Sequence, residues 1–289
     1  MNLKASEFIQ NSDGSIYHLN LLPQHLATTV ITVGDQDRVQ AVTKYFDKVE
    51  FKIQKREFHT QTGTYKGKRI SVVSTGIGTD NIDIVYNELD ALVNIDFETR
   101  TVKENLTSLD IIRIGTSGAI QPEIPVDSFL VSLAGIGFDS MLHFYEVGDV
   151  IDKGFSQALV KDLNYTPNKG VPYVVNGDTQ LASWFKDGYH SGVTLTNCGF
   201  YGPQGRVLRL QLQDPELNDK IAAFNYKGQK ITNLEMETAG MYGLSKLLGH
   251  RSISLNAIVA NRATGEFSRD SKKTVDHLIK ATLDNIIAN

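Results

Sequence analysis

Ile111-Ile112-Arg113-Ile114-Gly115-Thr116-Ser117-Gly118 sets an arginine inside an apolar β-type run and follows it with two glycines and two hydroxyls. The neighbours of Arg113 belong in the interior of a sheet, where a guanidinium costs ~3–5 kcal/mol unless an opposite charge and hydrogen bonds match it. An internal carboxylate is the ordinary partner and a bound anion the functional one. Gly115 to Gly118 reads as a loop leaving the strand, with backbone open to a ligand. Working outward, Val30 to Val33 is a β-rich run ending in Gly34-Asp35, and a helix opens at Arg38 and runs toward Phe46. Gly34-Asp35-Gln36-Asp37-Arg38 thus joins a strand to a helix N-terminus, where free N–H groups and the helix dipole favour an anion.

The same grammar continues along the chain. Arg69 to Ser74 is a strand, Gly76-Ile77-Gly78 a turn, and Ile82 to Val93 carries apolar residues at helical spacing. Phe129 to Leu133 is a strand, Thr232 to Leu248 a helix, Ser254 to Val259 a strand, and Lys272 to Ile287 a closing amphipathic helix. Strands alternating with helices predict an α/β fold. No composition break marks a linker, so residues 1–289 read as one domain. Its most loop-like tracts are Asn94 to Ser108, Asn164 to Val171 and Gly199 to Gly205.

Composition excludes several classes. Twenty-nine Lys+Arg against 33 Asp+Glu leave a net charge of −4, against a nucleic-acid binder, which needs a basic face. Apolar residues make up 41%, enough for a sizeable core, yet no run approaches the ~18 apolar residues of a membrane span. Met1 to Gln10 lacks the basic start and apolar block of a signal peptide, and the single cysteine, Cys198, suits a reducing compartment. The expected home is the cytoplasm.

Two further stretches carry chemistry. Leu234-Glu235-Met236-Glu237-Thr238 sits near the start of the helix expected from Thr232, where its carboxylates either complement the dipole or bind ribose hydroxyls while Met236 packs on the sugar. Gly199-Phe200-Tyr201-Gly202-Pro203-Gln204-Gly205-Arg206 is a surface loop or a site where an aromatic ring stacks on a flat heterocycle and Gln and Arg read its edge. Metals find little support: His18, His25 and His59 read as surface or cap residues, and no paired metal-ligand spacing occurs. Gly76-Ile77-Gly78-Thr79-Asp80-Asn81 has Asn where a dinucleotide fingerprint needs its third glycine, and neither a P-loop nor GxSxG is present.

Taken in order, these pieces resemble the nucleoside phosphorylase family, specifically its uridine phosphorylase branch. The resemblance is carried by Ile16-Tyr17-His18-Leu19, Gly34 to Val39, Arg56-Glu57-Phe58, Ser74 to Gly78, Arg113 to Gln121, Phe200-Tyr201 with Gln204 and Arg206, Asn233 to Glu237, and Val259-Ala260-Asn261-Arg262. It implies a three-layer α/β/α sandwich around a mixed, partly barrel-like central sheet. It also implies inorganic phosphate as co-substrate, with no cofactor. Phosphate would be held by Gly34, Arg38, Arg113 and Thr116, with Arg56 reaching in from a neighbouring subunit. Ribose would contact Thr116, Met236, Glu237 and a partner chain's His18. The base would lie near Phe200, read by Gln204 and Arg206, with Arg262 close behind. Arg38, Arg113, Arg206 and Glu237 would carry the catalysis. A homodimer would be the smallest active unit, with a hexamer as a larger assembly.

Purine-specific relatives carry an aspartate near where this chain has Asn261-Arg262, and that acid protonates the purine. Here the position holds no acid, and a uracil anion could instead be stabilised by donors such as Gln204 and Arg206. The expected reaction is reversible phosphorolysis of uridine in pyrimidine salvage or catabolism. Its rivals are a purine-directed phosphorylase, a nucleosidase of the same fold and a non-catalytic nucleoside-binding module. The chain also departs from the family in reading Gly78-Thr79-Asp80-Asn81 where Gly-Gly-Pro-Ser is common, which weakens a monovalent cation site at Glu57, Ile77 and Asn81.

Overall fold

A computed structural model describes residues 2–289. β-Branched runs buried on both faces build the middle of its sheet, as expected for parallel strands covered by helices. In order, the elements begin with β1 (Thr29–Val33), α1 (Gln36–Thr43), β2 (Lys48–Lys55), β3 (Phe58–Tyr65), β4 (Lys68–Ser74) and α2 (Thr79–Asn94). A small hairpin, β5 (Ile95–Asp96) and β6 (Thr101–Val102), precedes β7 (Asp110–Ala119), β8 (Phe129–Gly137), α3 (Lys153–Asp162), β9 (Tyr173–Asn176), α4 (Thr179–Ala182) and β10 (Tyr189–Thr196). The chain closes with α5 (Leu217–Ala223), β11 (Asn225–Tyr226), β12 (Gln229–Glu235), α6 (Thr238–Leu247), β13 (Arg251–Asn261), β14 (Glu266–Phe267) and α7 (Ser271–Ala288).

Strands run β11-β12-β10-β8-β13-β7-β1-β4-β3-β2 in one mixed 12-stranded sheet, with β9 and β14 attached to β8 and β13. An additional antiparallel pairing of β12 with β7, Asn233 to Ala119 and Leu234 to Gly118, closes β7, β13, β8, β10 and β12 into a ring. The sheet is therefore barrel-like at one end and open at the other, with α1 and α7 forming one flanking helix pair and α2 and α6 another. The α/β expectation and its partly barrel-like sheet hold.

The chain passes from β1 to β4 on one side and then crosses to β7 on the other. That reversal opens a crevice at the C-terminal ends of β1 and β7, the usual ligand position in such sheets. The register sets Arg113 of β7 beside Thr32 of β1 and Ser254 of β13, at the centre of the parallel strands.

Three expectations are corrected. Gly115 to Gly118 is not a loop: β7 continues through it to Ala119, because β13 pairs with it along its whole length. Gln229–Glu235 is a strand, and the helix expected from Thr232 starts only at Thr238. Its apolar residues fit either period, and pairing with β10 selects the strand. His59 is buried at 7% exposure in β3, its ring against Gln61, and is not a surface residue; His25 does cap, accepting from the Leu22 N–H.

The Asn94 to Ser108 tract contains the β5–β6 hairpin, whose Arg100 grips the N-terminal segment. Its guanidinium donates to the Leu3 carbonyl at 3.0 Å, the Lys4 carbonyl at 3.1 Å and Gln10 Oε1 at 2.7 Å.

Candidate active site

A cavity of about 880 Å³ opens at that crevice. Gly34 and Arg38 line it from the β1–α1 junction, Arg113 and Thr116 from β7, and Met236 and Glu237 from the β12–α6 junction. Phe200, Gln204 and Arg206 complete it from the loop after β10. Glu57, Ile77 and Asn81 form another part of the wall. Three expected residues do not line the cavity of their own chain: His18, Arg56 and Arg262.

Arg113 is 6% exposed and answers its burial with carboxylates. Its Nη2 donates to Glu237 Oε2 at 2.6 Å and lies 3.2 Å from Glu235 Oε2; Nη1 donates to Ser254 Oγ and Asn256 Oδ1, each at 3.3 Å. The ordinary reading of an internal carboxylate partner is therefore correct for this residue. Burial alone would drive the guanidinium pKa down, but the charges of Glu235 and Glu237 outweigh it and hold the pKa above the usual value. Glycine at 115 makes room: two residues along a strand lies on the same face, and a Cβ there would sit 1.9 Å from Arg113 Nη1.

Glu235 is fully engaged. It accepts from the Thr196 hydroxyl at 2.6 Å and from the N–H groups of Glu237 and Thr238, capping α6. The stretch expected as a first helical turn is thus a strand end whose carboxylate serves the helix that follows. Glu237 turns back into the cavity, its other oxygen accepting from the Gly78 N–H at 2.8 Å. Burial pushes its carboxyl up, Arg113 opposes the shift, and Glu235 adds to it.

Arg38 differs from Arg113 in having no carboxylate within ion-pair distance among the described residues. Nη1 donates to the Ile114 carbonyl at 3.3 Å. Burial and then the nearby Arg113 charge lower its pKa. A half-dry cavity with one guanidinium neutralised and a second left uncompensated attracts an anion.

At the aromatic loop, Arg206 lies over the Phe200 ring at 3.8 Å and donates to Gln204 Oε1 at 2.6 Å and the Phe200 carbonyl at 2.7 Å. Gln204 is buried, and Arg262 holds it from behind through the carbonyls of Gln204 and Gly205, at 3.1 and 3.3 Å. Burial, then the Arg262 charge, lowers the Arg206 pKa. Asn261 is consumed by the backbone: its amide donates to the carbonyls of Gln121 and Ile124 and accepts from Ala263 and Thr264.

His18 sits on the N-terminal segment and contacts Glu88 of α2 at 2.7 Å. Arg56 occupies the β2–β3 hairpin tip at φ 53°, its carbonyl accepting from Gln36 at 3.2 Å. The Asn81 amide donates to the Ile77 carbonyl at 3.3 Å. Sequence reasoning overlooked Phe267 of β14, an exposed ring that lines the cavity. It also overlooked the need for glycine at 115, which the i, i+2 relation to Arg113 signals.

Against known proteins, a family model described as the phosphorylase superfamily matches residues 28–288. A uridine phosphorylase of Thermococcus kodakarensis is 30% identical over 93% of this chain and 86% of its own length. One of Escherichia coli is 29% identical, over 94% and 97%. A purine nucleoside phosphorylase of Bacillus subtilis is 25% identical over 93% of this chain and 98% of its own. Among solved structures, a Trypanosoma brucei nucleoside phosphorylase described as showing uridine phosphorylase activity superposes with a TM-score of 0.87. It is 27% identical, over 98% of this chain and 100% of that one. The sheet that closes at one end, the cavity at its strand reversal and the family match from residue 28 to 288 agree: this chain belongs to the nucleoside phosphorylase family of the phosphorylase superfamily.

Proposed function

We propose that the protein is a uridine phosphorylase, converting uridine and phosphate reversibly to uracil and ribose 1-phosphate. Phosphate lies against Gly34, Arg38, Arg113 and Thr116, the sugar against Met236 and Glu237, and the base against Phe200, Gln204 and Arg206. The C1′–N1 bond breaks with its electron pair leaving on uracil, while a phosphate oxygen bonds to C1′. Gln204 and Arg206 stabilise the uracil anion, and the arginines fix the nucleophile, so catalysis is mostly placement and field. A second copy of the chain supplies Arg56 to the phosphate and His18 to the sugar, consistent with neither residue lining its own cavity. Phosphate is the co-substrate and no cofactor takes part; the setting is pyrimidine salvage in the cytoplasm.

The observation that carries the uridine reading is the distribution of acids. The carboxylates lining the cavity are Asp35, Asp37 and Glu57, beside the β1–α1 junction and hairpin tip, and Glu235 and Glu237 of the Arg113 cluster. Around Phe200 the lining offers an amide and a guanidinium, and Asn261 is tied to backbone. A base that needs protonation finds no acid there; one that leaves as a delocalised anion finds donors.

Incubation with uridine, thymidine and inosine, each with and without phosphate, tests it. Uracil and ribose 1-phosphate appearing only with phosphate is the expected result. Equal cleavage in phosphate-free buffer would make the protein a nucleosidase, preference for inosine a purine phosphorylase, and binding without turnover a non-catalytic module.

A further inference from the structure

Arg113 starts a hydrogen-bonded belt that runs once around the inside of the barrel. Its Nη1 donates to Asn256 Oδ1 of β13 at 3.3 Å. Asn256 Nδ2 donates to Ser132 Oγ of β8 at 3.0 Å, and Ser132 Oγ lies 2.5 Å from Thr194 Oγ1 of β10. Thr194 donates to Asn233 Oδ1 of β12 at 2.8 Å, and Asn233 Nδ2 donates to Ser117 Oγ of β7 at 2.8 Å. Each strand of the closed ring thus supplies one member beyond Arg113; Asn256, Ser132, Thr194 and Asn233 are 0% exposed and Ser117 5%.

The guanidinium fixes the sense of every bond, because it can only donate. The Asn256 oxygen must face Arg113, so its amide N–H faces Ser132. Ser132 then points its proton at Thr194, and Thr194 points its own at the Asn233 oxygen. The opposite sense would aim both Asn256 and Thr194 at Ser132 and bury the Ser132 proton without an acceptor. Ser117 ends the belt as an acceptor, and its own proton has no acceptor among the described residues. Ser117 lines the cavity, so that proton is free to serve whatever enters it. Bonds that all point one way from a cation polarise one another.

We propose that this belt aims a polarised Ser117 hydroxyl at a carbonyl oxygen of the departing base, with Asn233 as the positioning residue that holds it there. This rests on the reading of the protein as a uridine phosphorylase. In that reaction the phosphate loses negative charge as it bonds to C1′, whereas the base oxygens gain it. A donor at the end of a chain led by a cation is therefore worth most at the base. Asn233 touches no substrate; it acts through the hydroxyl it orients.

The experiment measures single-turnover rates at saturating phosphate with uridine and with 5-fluorouridine, whose more acidic base needs less help in leaving. It uses the wild type, Ser117→Ala, Ser117→Thr, Asn233→Asp and the double variant Ser117→Ala/Asn233→Asp. In Asn233→Asp the new carboxylate only accepts, so it draws the Ser117 proton away from the cavity. Ser117→Ala should slow uridine cleavage about 30-fold and 5-fluorouridine cleavage less than about 10-fold, the mark of one donor to a developing charge. Ser117→Thr, which keeps the hydroxyl, should recover most of the rate. Asn233→Asp should repeat the pattern of Ser117→Ala, and the double variant should be no slower than the slower single, since both remove one bond. Equal losses for the two nucleosides, or losses that multiply in the double variant, overturn the proposal. Should Asn233→Asp fail to fold, judged by its Tm, Ser117→Ala decides alone: a uridine rate within about 2-fold of the wild type overturns the proposal. A wild type that leaves uridine intact in the presence of phosphate overturns the uridine reading itself, which the other failures leave standing.

Discussion

Arg113 Nη2 lies 2.6 Å from Glu237 Oε2, so the group that would hold the anion and the group that would hold the sugar already touch across the cavity. Burial pushes the Glu237 carboxyl up and the Arg113 charge opposes that shift, while Glu235 and Glu237 hold the Arg113 pKa above its usual value. Arg38, a few residues into α1, has no such partner among the described residues, and the two arginines should therefore answer differently to mutation.

Arg38→Ala and Arg113→Ala should each cost about 100-fold in phosphate-dependent turnover, in line with the loss of one electrostatic donor. Only Arg113→Ala should also lose stability heavily, by roughly 3–5 kcal/mol, because it leaves Glu235 and Glu237 buried without their cation. Steady-state kinetics with varied phosphate, beside denaturant unfolding of both variants, checks the pair. Normal phosphate dependence in both would remove them from the phosphate site.

Gly115→Ala tests the Arg113 position without touching its charge. The added Cβ would meet Nη1 at 1.9 Å, so the guanidinium must swing away from Glu237. The KM for phosphate should rise about 10-fold, an effect of misplacement alone. An unchanged KM would mean that this orientation of Arg113 is not the one phosphate uses.

Gln204→Ala should collapse the preference for uridine over inosine. Arg206 occupies the Gln204 carbonyl oxygen, which leaves the amide N–H groups as the donors that the proposed reading assigns to the base. Its removal should lower kcat/KM for uridine by roughly 100-fold and leave any inosine activity unaltered, since a site built to hydrogen-bond a base loses most for that base. Equal losses for both nucleosides would place Gln204 outside base recognition.

Asp139 gives a test of stability against pH. Burial pushes its carboxyl up, against the opposing hydrogen bonds from the Met141 N–H and from the Tyr173 hydroxyl at 2.8 Å. The folded state thus keeps its proton to higher pH than the unfolded chain, whose carboxyl titrates near ~3.9. The associated stability is complete below that value and is lost as pH rises through the folded-state pKa. Asp139→Asn should accordingly gain on the wild type as pH is raised from about 4 to about 7, measured by Tm at each pH. A constant difference would show that Asp139 titrates as an ordinary carboxyl.

Much of the frame was legible in the residues. β1, β4 and β7 announce themselves as β-branched runs, and α2 and α7 as apolar residues at helical spacing, because burial on one face leaves its period in the sequence. Elements whose form depends on distant partners were not legible. Gly115 to Gly118 reads as loop until β13 pairs with it, and Thr232 to Glu235 reads as helix until β10 and β7 claim it. β2, β3 and β10 went unread: β2 is largely exposed, β3 is a mostly polar run buried along nearly its whole length, and β10 is exposed at its start and buried at its end, so none carries a clear periodic signal.

From its sequence alone the protein is an α/β chain with a strand arginine, a strand-to-helix anion turn and an aromatic loop bearing Gln and Arg. These follow from local period and from the cost of placing a charge among apolar neighbours, both of which are written residue by residue. Only the folded sheet decided that Arg113 meets Glu235 and Glu237, that Arg38 has no carboxylate within ion-pair distance among the described residues, and that His18 and Arg56 do not line the cavity of their own chain. Those outcomes depend on which strands pair across more than a hundred residues of chain, and long-range pairing leaves no mark in the order of the amino acids around each site.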